Sequence, residues 1–182
     1  MKKTLYFVRH GETDWNVLGK LQGQTDVPLN ENGIMQAKEL SERIDVKIDY
    51  VFSSPLIRAY NTACILAEKL GVEVSKNPLL SEVSFGDLEG KVIPESLDKT
   101  TAETWDIPFP NGESFKDAFI RFNQFLEQLS CDMDNILIVS HGGVLKVVLR
   151  CFEAEEIRLK NCVCIMCDYD MDTKKLSNFK CI

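Results

Sequence analysis

Histidine is scarce in this chain, with two residues in 182, and positive charge is short as well. Lysine and arginine number 21 against 28 aspartates and glutamates, a formal net charge of -7. A general nucleic-acid binder needs a basic footprint, which that balance excludes. An anionic ligand would have to be held by a local cluster of cations working against the overall field. Long hydrophobic runs are missing. No segment approaches the roughly 20 apolar residues of a membrane span. The run Leu5, Tyr6, Phe7, Val8 is cut by Arg9, too early for a secretory signal. The expectation is a soluble, cytoplasmic protein that binds neither nucleic acid nor membrane.

A disulfide framework is missing too. Seven cysteines is an odd count, and Cys64 and Cys151 sit in the apolar stretches NTACILAEKL and VVLRCFEA. Buried free thiols in a reducing compartment are expected. Cys162, Cys164 and Cys167 form a C-x-C-x-x-C run, with Cys162 and Cys164 on one face of an expected strand. No second pair follows at zinc-site spacing, so no metal is expected there. Internal repeats and low-complexity tracts are absent. The length and a hydrophobic content of 45% suit one domain over residues 1–182.

What is present is alternation. LYFV, DYVFSS, VEVSK and ILIV read as strands, and CVCIMCDYDM and KLSNFKCI as two closing strands. Between them lie helical patterns. LNENGIMQAKELSERI can be capped by Asn30 or Asn32, with Ile34, Ala37, Leu40 and Ile44 on one apolar face. LIRAYNTACILAEKLG stops at Gly71. GESFKDAFIRFNQFLEQLS aligns Phe115, Phe119, Phe122 and Leu126, and GVLKVVLRCF follows ILIVSHG. The pattern predicts an α/β fold: a three-layer αβα sandwich around a mostly parallel central sheet. Residues 77–112 are irregular and carry Pro78, Pro94, Pro108 and Pro110. Such a length is more than a plain loop, so a lid insertion is expected at about 83–112.

Both histidines fall at the same kind of place. His10 ends the strand LYFVR and precedes Gly11, and His141 ends ILIVS and precedes Gly142-Gly143. Ligands of α/β sheets bind beyond the carboxyl ends of strands. Arg58 sits on the first turn of the helix after a third strand. Arg9, Arg58, His10 and His141 are therefore expected to converge above one edge of the sheet. Two guanidiniums recognise phosphate-type oxygens, and the helix after His141, beginning at Gly142, offers amides and a positive dipole end. A neutral imidazole in that setting is a nucleophile for phosphoryl transfer. Trp15, Phe85 and Trp105 read as packing residues, and Arg121 and Lys146 as solvated helix charges.

Five stretches carry a family resemblance: RHGETDWN, SSPLIRAYNTA, SEVSFGDLEG, FPNGES and VSHGGVL. In order and spacing they resemble the histidine phosphatase superfamily, in its phosphoglycerate mutase-like branch, over nearly the whole chain. The resemblance implies that His10 is the nucleophile that becomes phosphohistidine. Arg9, Arg58 and His141 complete the phosphate pocket, and Glu82 donates the proton to the leaving oxygen. Asn16, Gln22 and Gly23, with Gly142, line the same pocket. Ser81 departs from the pattern, since many relatives carry arginine or asparagine there. No cofactor or metal is implied. Three activities fit: a phosphatase, a cofactor-dependent phosphoglycerate mutase, and a phospholigand-binding module without catalysis. The compact spacing from Glu82 to His141 favours a phosphatase of the α-ribazole or broad-specificity kind. Its partner would be a small phosphorylated metabolite, and the oligomeric state is open.

Overall fold

The structure is a computed structural model, and it describes residues 1–92, 104–154 and 156–182. Its centre is β1 (Lys2–Arg9), in which Leu5, Tyr6, Phe7 and Val8 are all buried. Leu5 and Phe7 enter one core and Tyr6 and Val8 the other, because side chains alternate across a strand. An apolar residue at every position is what a sheet covered on both faces requires. β4 (Asn135–Ser140) repeats the pattern, with Ile136 and Ile138 on the first face and Leu137 and Val139 on the second.

The sheet completes with β2 (Tyr50–Ser53), β3 (Val74–Lys76), β5 (Cys164–Asp170) and β6 (Lys175–Cys181), in the order β3-β2-β4-β1-β5-β6. The first four strands run parallel, and β5 and β6 are antiparallel additions at one side. After the short α1 (Asp14–Val17), α2 (Glu31–Arg43) and α3 (Ile57–Leu70) cover one face. α4 (Phe115–Glu127) and α5 (Gly142–Cys151) cover the other. The three-layer expectation holds. No helix among the described residues is long and apolar enough to cross a membrane.

Two details differ from the pattern read in the sequence. α2 is capped by Asn30, whose side chain accepts from the Gly33 amide at 2.8 Å, but its buried face is Gly33, Ala37, Leu40 and Ser41. Ile34 is 40% exposed. The cause lies at the first histidine turn. Gly33 packs so tightly on Gly11 that a Cβ on Gly11 would stand 2.4 Å from the Gly33 carbonyl oxygen. Facing Gly33 inward turns its neighbour Ile34, about 100° round the helix, outward. Then β5 begins at Cys164, and Cys162 before it adopts a positive φ of 52°. Cys162 and Cys164 lie in one core layer and Cys167 in the other, so the three thiols do not converge. Burial pushes the Cys162 and Cys164 thiols up to about 12, which keeps them protonated and unreactive.

The described part of the expected lid is folded back. It holds the 3₁₀ turn Gly86–Leu88, and another, Pro78–Leu80, precedes it. Phe109 packs edge-on to Phe85 at 5.0 Å and to Phe115 of α4 at 5.3 Å. Trp105 packs on Phe119 at 6.1 Å, so Phe85 and Trp105 serve as packing residues. Val92 bridges Lys20 across the chain. Residues 93–103 of the expected insertion, Pro94 among them, lie outside the described residues.

Candidate active site

Strand register makes the site. β1 and β4 are parallel neighbours with Arg9 opposite Ser140, so the next residue of each strand is a histidine. The His10 amide donates to the Ser140 carbonyl at 3.0 Å, and the two imidazole centroids lie 5.2 Å apart. β2 ends on the other side of β4 and leads through Ser53-Ser54 into α3. That connection brings Arg58, on the first turn of α3, close enough for its charge to act on both rings. Thr62, one turn further on, ties α3 to the histidine turn: its hydroxyl donates to the Arg58 carbonyl at 2.8 Å and accepts from the Gly11 amide at 3.0 Å.

His10 is 2% exposed, and its Nδ1 stands 2.7 Å from the Gly11 carbonyl oxygen. A carbonyl can only accept, so Nδ1 carries the proton and the Nε2 lone pair is left free. His141 is fully buried, and neither of its ring nitrogens has a partner. Burial, then Arg58 and Arg9, push the His10 imidazole well below the usual histidine value, opposed by the Gly11 hydrogen bond. Burial, then Arg58, His10, Arg121 and Arg9, do the same to His141. Both rings are neutral at neutral pH.

Arg58 is fully buried, with one Nη donating to the Gly23 carbonyl at 2.6 Å and the other to the Thr25 carbonyl at 2.9 Å. Arg9 donates from Nη1 to the Leu159 carbonyl at 2.5 Å. Each guanidinium is thus held from behind by backbone oxygens, while its Nε is buried without a partner. Burial lowers both arginine pKa values and the nearby Glu82 charge opposes this. A Cβ on Gly142 would stand 3.1 Å from the Arg9 Nε, which places Gly142 against that unused edge. Gln22 is 7% exposed, and its Oε1 is also buried and unpaired. Leaving a buried polar atom unbonded costs about 1–3 kcal/mol. Five such atoms, on Arg9, Gln22, Arg58 and His141, belong to the residues read from the sequence as a phosphate pocket. An anionic ligand in the pocket would satisfy the donors among them, the two arginine Nε–H groups and the N–H of His141.

Glu82 is 7% exposed, and its carboxylate accepts from the amides of Val83 at 2.9 Å, Gly143 at 3.0 Å and Val144 at 3.0 Å. This corrects one sequence reading. Two amides at the start of α5, expected to face a phosphate, are taken by the Glu82 carboxylate, the anion nearest the positive helix end. Gly143 has to be glycine for this, since a Cβ there would stand 2.6 Å from Glu82 Oε1.

Asn16 acts through its side-chain oxygen and Gly23 through its backbone carbonyl. The Asn16 Oδ1 accepts from the Thr13 amide at 3.1 Å and from the Asn161 side chain at 3.3 Å. Asn161 also donates to the His10 carbonyl at 3.0 Å, which fixes the loop against the histidine turn. Gly23 contributes the carbonyl that grips Arg58. Asn161 lies in a polar loop with no periodicity, so sequence reasoning had no signal for it. Arg121, expected to be a solvated helix charge, is instead half-buried against the backbone. It is 16% exposed and pairs with Glu113 at 2.7 Å.

The sequence matches the histidine phosphatase superfamily (branch 1) over residues 5–181. The chain belongs to that family. It is 37% identical over 145 residues to PhoE of Bacillus subtilis (strain 168), named as an uncharacterized phosphatase, covering 78% of this chain and 73% of that one. It is 38% identical over 152 residues to the phosphoglycerate mutase-like protein 4 of Arabidopsis thaliana, covering 76% and 66%. Its fold matches a candidate α-ribazole-5′-phosphate phosphatase from Escherichia coli K-12 with a TM-score of 0.80 and 30% identity, covering 96% of this chain and 94% of that one. Histidine phosphatases and mutase-like proteins are thus both among its relatives.

The two buried imidazoles make stability depend on pH. In the unfolded chain they titrate near 6.5. In the folded chain they titrate well below that. Below pH 6.5 the unfolded state therefore takes up protons that the folded state refuses, and stability falls as pH falls. Each ring accounts for up to about 1.4 kcal/mol per pH unit, and the pair for about 2.8. Urea unfolding at pH 7.5, 6.0 and 5.0 measures the slope. The double variant His10→Asn, His141→Asn should flatten it, and an unchanged slope would show that the rings are not held neutral.

Proposed function

We propose that this histidine phosphatase superfamily member is a metal-independent phosphomonoesterase for a small organic phosphate, working through phosphohistidine on His10. The observation that carries this reading is the anchored His10 ring, its Nδ1 bonded to Gly11 and its Nε2 free beside two guanidiniums with unpaired Nε edges. In the first step Nε2 attacks phosphorus, the bond to the leaving alkoxide breaks, and Glu82, entering as the neutral acid with the proton it regains in each second step, supplies that proton to the leaving oxygen. Arg9, Arg58, His141 and the Gly142 amide carry the charge of the transferred oxygens. In the second step Glu82, now a carboxylate, takes a proton from water as water attacks phosphorus and the P–N bond breaks. Protein cations supply the positive charge at each stage, so the chemistry asks nothing of a metal.

Seven cysteines, with Cys162, Cys164 and Cys167 buried, suit a reducing, cytoplasmic setting. The resemblance to phosphoglycerate mutase-like protein 4 keeps mutase activity as the second reading. One assay decides among the readings. Purified protein in excess EDTA should release inorganic phosphate from at least one member of a phosphomonoester panel. With 3-phosphoglycerate and a trace of bisphosphoglycerate it should not form 2-phosphoglycerate. Activity lost in EDTA and restored by magnesium would defeat the metal-independent mechanism. Isomerisation without phosphate release would make the protein a mutase, and a folded protein inert to the whole panel would make it a binding module.

A further inference from the structure

Glu82 is held from two directions, and one of them lies away from the phosphate pocket. Its carboxylate hangs on the start of α5, whereas its main chain belongs to a segment, residues 79–85, that lies outside every strand of the sheet. That backbone is fixed by side chains. Arg121 of α4 donates from Nη1 to the Leu79 carbonyl at 2.8 Å and from Nη2 to the Glu82 carbonyl at 3.1 Å. The other edge of the same guanidinium meets Glu113, Nε to Oε2 at 3.2 Å and Nη2 to Oε1 at 2.7 Å. Glu113 Oε1 in turn accepts from the Ser84 amide at 2.9 Å, and the Glu113 amide donates to the Ser84 carbonyl at 3.0 Å. One ion pair therefore grips the chain at positions 79, 82 and 84, on both sides of the candidate acid. Its members are 16% and 19% exposed, so water screens it far less than a surface pair.

We infer that Arg121, locked by Glu113, is a positioning residue that aims the Glu82 carboxyl at the leaving oxygen. The inference rests on the reading of Glu82 as the proton donor. Only a planar fork can bond two carbonyls three residues apart while its third edge pairs with a carboxylate, and lysine, a point charge, cannot. Loss of the Arg121 fork leaves the Glu82 carbonyl with the 3.2 Å bond from the Gln24 side chain, so the carboxylate stays attached to the α5 amides while the backbone behind it is less firmly held. An error of about 1 Å in the aim of a reacting group can cost on the order of 100-fold in rate. The Arg121 charge also reaches His141 and helps to keep that ring neutral. Arg121→Lys keeps the charge and loses the fork, which separates the two contributions.

The test compares two substrates, the alkyl phosphate hydrolysed fastest in the panel and p-nitrophenyl phosphate, whose leaving group departs without a proton. Arg121→Met and Arg121→Lys should each lower kcat/KM, which reports the first step alone, by about 10- to 100-fold for the alkyl phosphate. For the aryl phosphate the loss should stay within about 3-fold, because proton donation matters little there. Combined with Glu82→Gln, neither should lower alkyl phosphate turnover further. A merely structural Arg121 would instead reduce both substrates alike, or add to Glu82→Gln, and either result overturns the proposal. If the Arg121 variants fail to fold, Glu113→Gln, which keeps the shape and unlocks the arginine, decides by the same ratio. Should Glu82→Gln itself show no preference between the substrates, the acid assignment fails and this inference with it. Should Glu82→Gln discriminate and the Arg121 and Glu113 variants not, the positioning role alone is refuted.

Discussion

His10→Ala is expected to lower turnover by at least about 10⁴-fold while the protein stays folded. Two rings compete for the role of nucleophile, and the structure separates them. His10 has its Nδ1 anchored to the Gly11 carbonyl, which fixes both the tautomer and the direction of Nε2. His141 has no hydrogen bond on either nitrogen, so no such bond fixes its tautomer or aims one nitrogen for in-line attack. An unanchored neutral ring beside an anion is suited to donate a hydrogen bond to it. The chain has no other histidine, so the trap is clean. After a brief pulse of labelled substrate the wild type should carry an acid-labile, base-stable phosphoryl group, and His10→Ala should carry none. Label that persists in His10→Ala would move the nucleophile to His141. The fold should survive, since alanine removes one ring and its hydrogen bond to Gly11 at a strand end and takes nothing from either apolar core.

The legible part of this site is the part made by strand ends. Apolar runs on β1 and β4 announced strands buried on both faces, and a histidine followed by glycine at each end announced two equivalent turns. Parallel register then put the turns side by side. Arg58 was legible for the same reason, as a charge on the first turn after a third strand. The hidden part is made by hydrogen bonds between distant loops. Nothing local distinguishes Arg121 from an exposed helix arginine, because its acceptors are carbonyls some 40 residues away. Asn161 bonds His10 across 151 residues. Ile34 misled for a related reason: the helix pattern is a pattern of apolar residues, and α2 buries glycine where two backbones meet. The amides of α5 misled because a helix start attracts any nearby anion, and the nearer one is the protein's own Glu82.

Glu82→Gln should cost about 10²- to 10⁴-fold on alkyl phosphates and much less on p-nitrophenyl phosphate. The glutamine oxygen can still accept from the α5 amides, but its other edge is an NH₂ group that would meet the donors Gly143 or Val144 face to face. Part of the loss on any substrate will come from that clash, so the diagnostic quantity is the ratio between substrates. An alkoxide is a strong base and cannot depart without a proton, whereas nitrophenolate can. Measured as kcat/KM, which reports the first step alone, a large ratio assigns the proton to Glu82, and equal losses would show that Glu82 is not the acid of that step. Water attack in the second step is the same for every substrate, because all of them pass through one phosphoenzyme. Where that step limits turnover, glutamine slows it too, since the base is gone. Phosphoenzyme should then accumulate on the aryl substrate in Glu82→Gln. On the alkyl substrate it should not, because its formation is the step that lacks the acid. Finding the reverse pattern would place the proton donor of the first step on a residue other than Glu82.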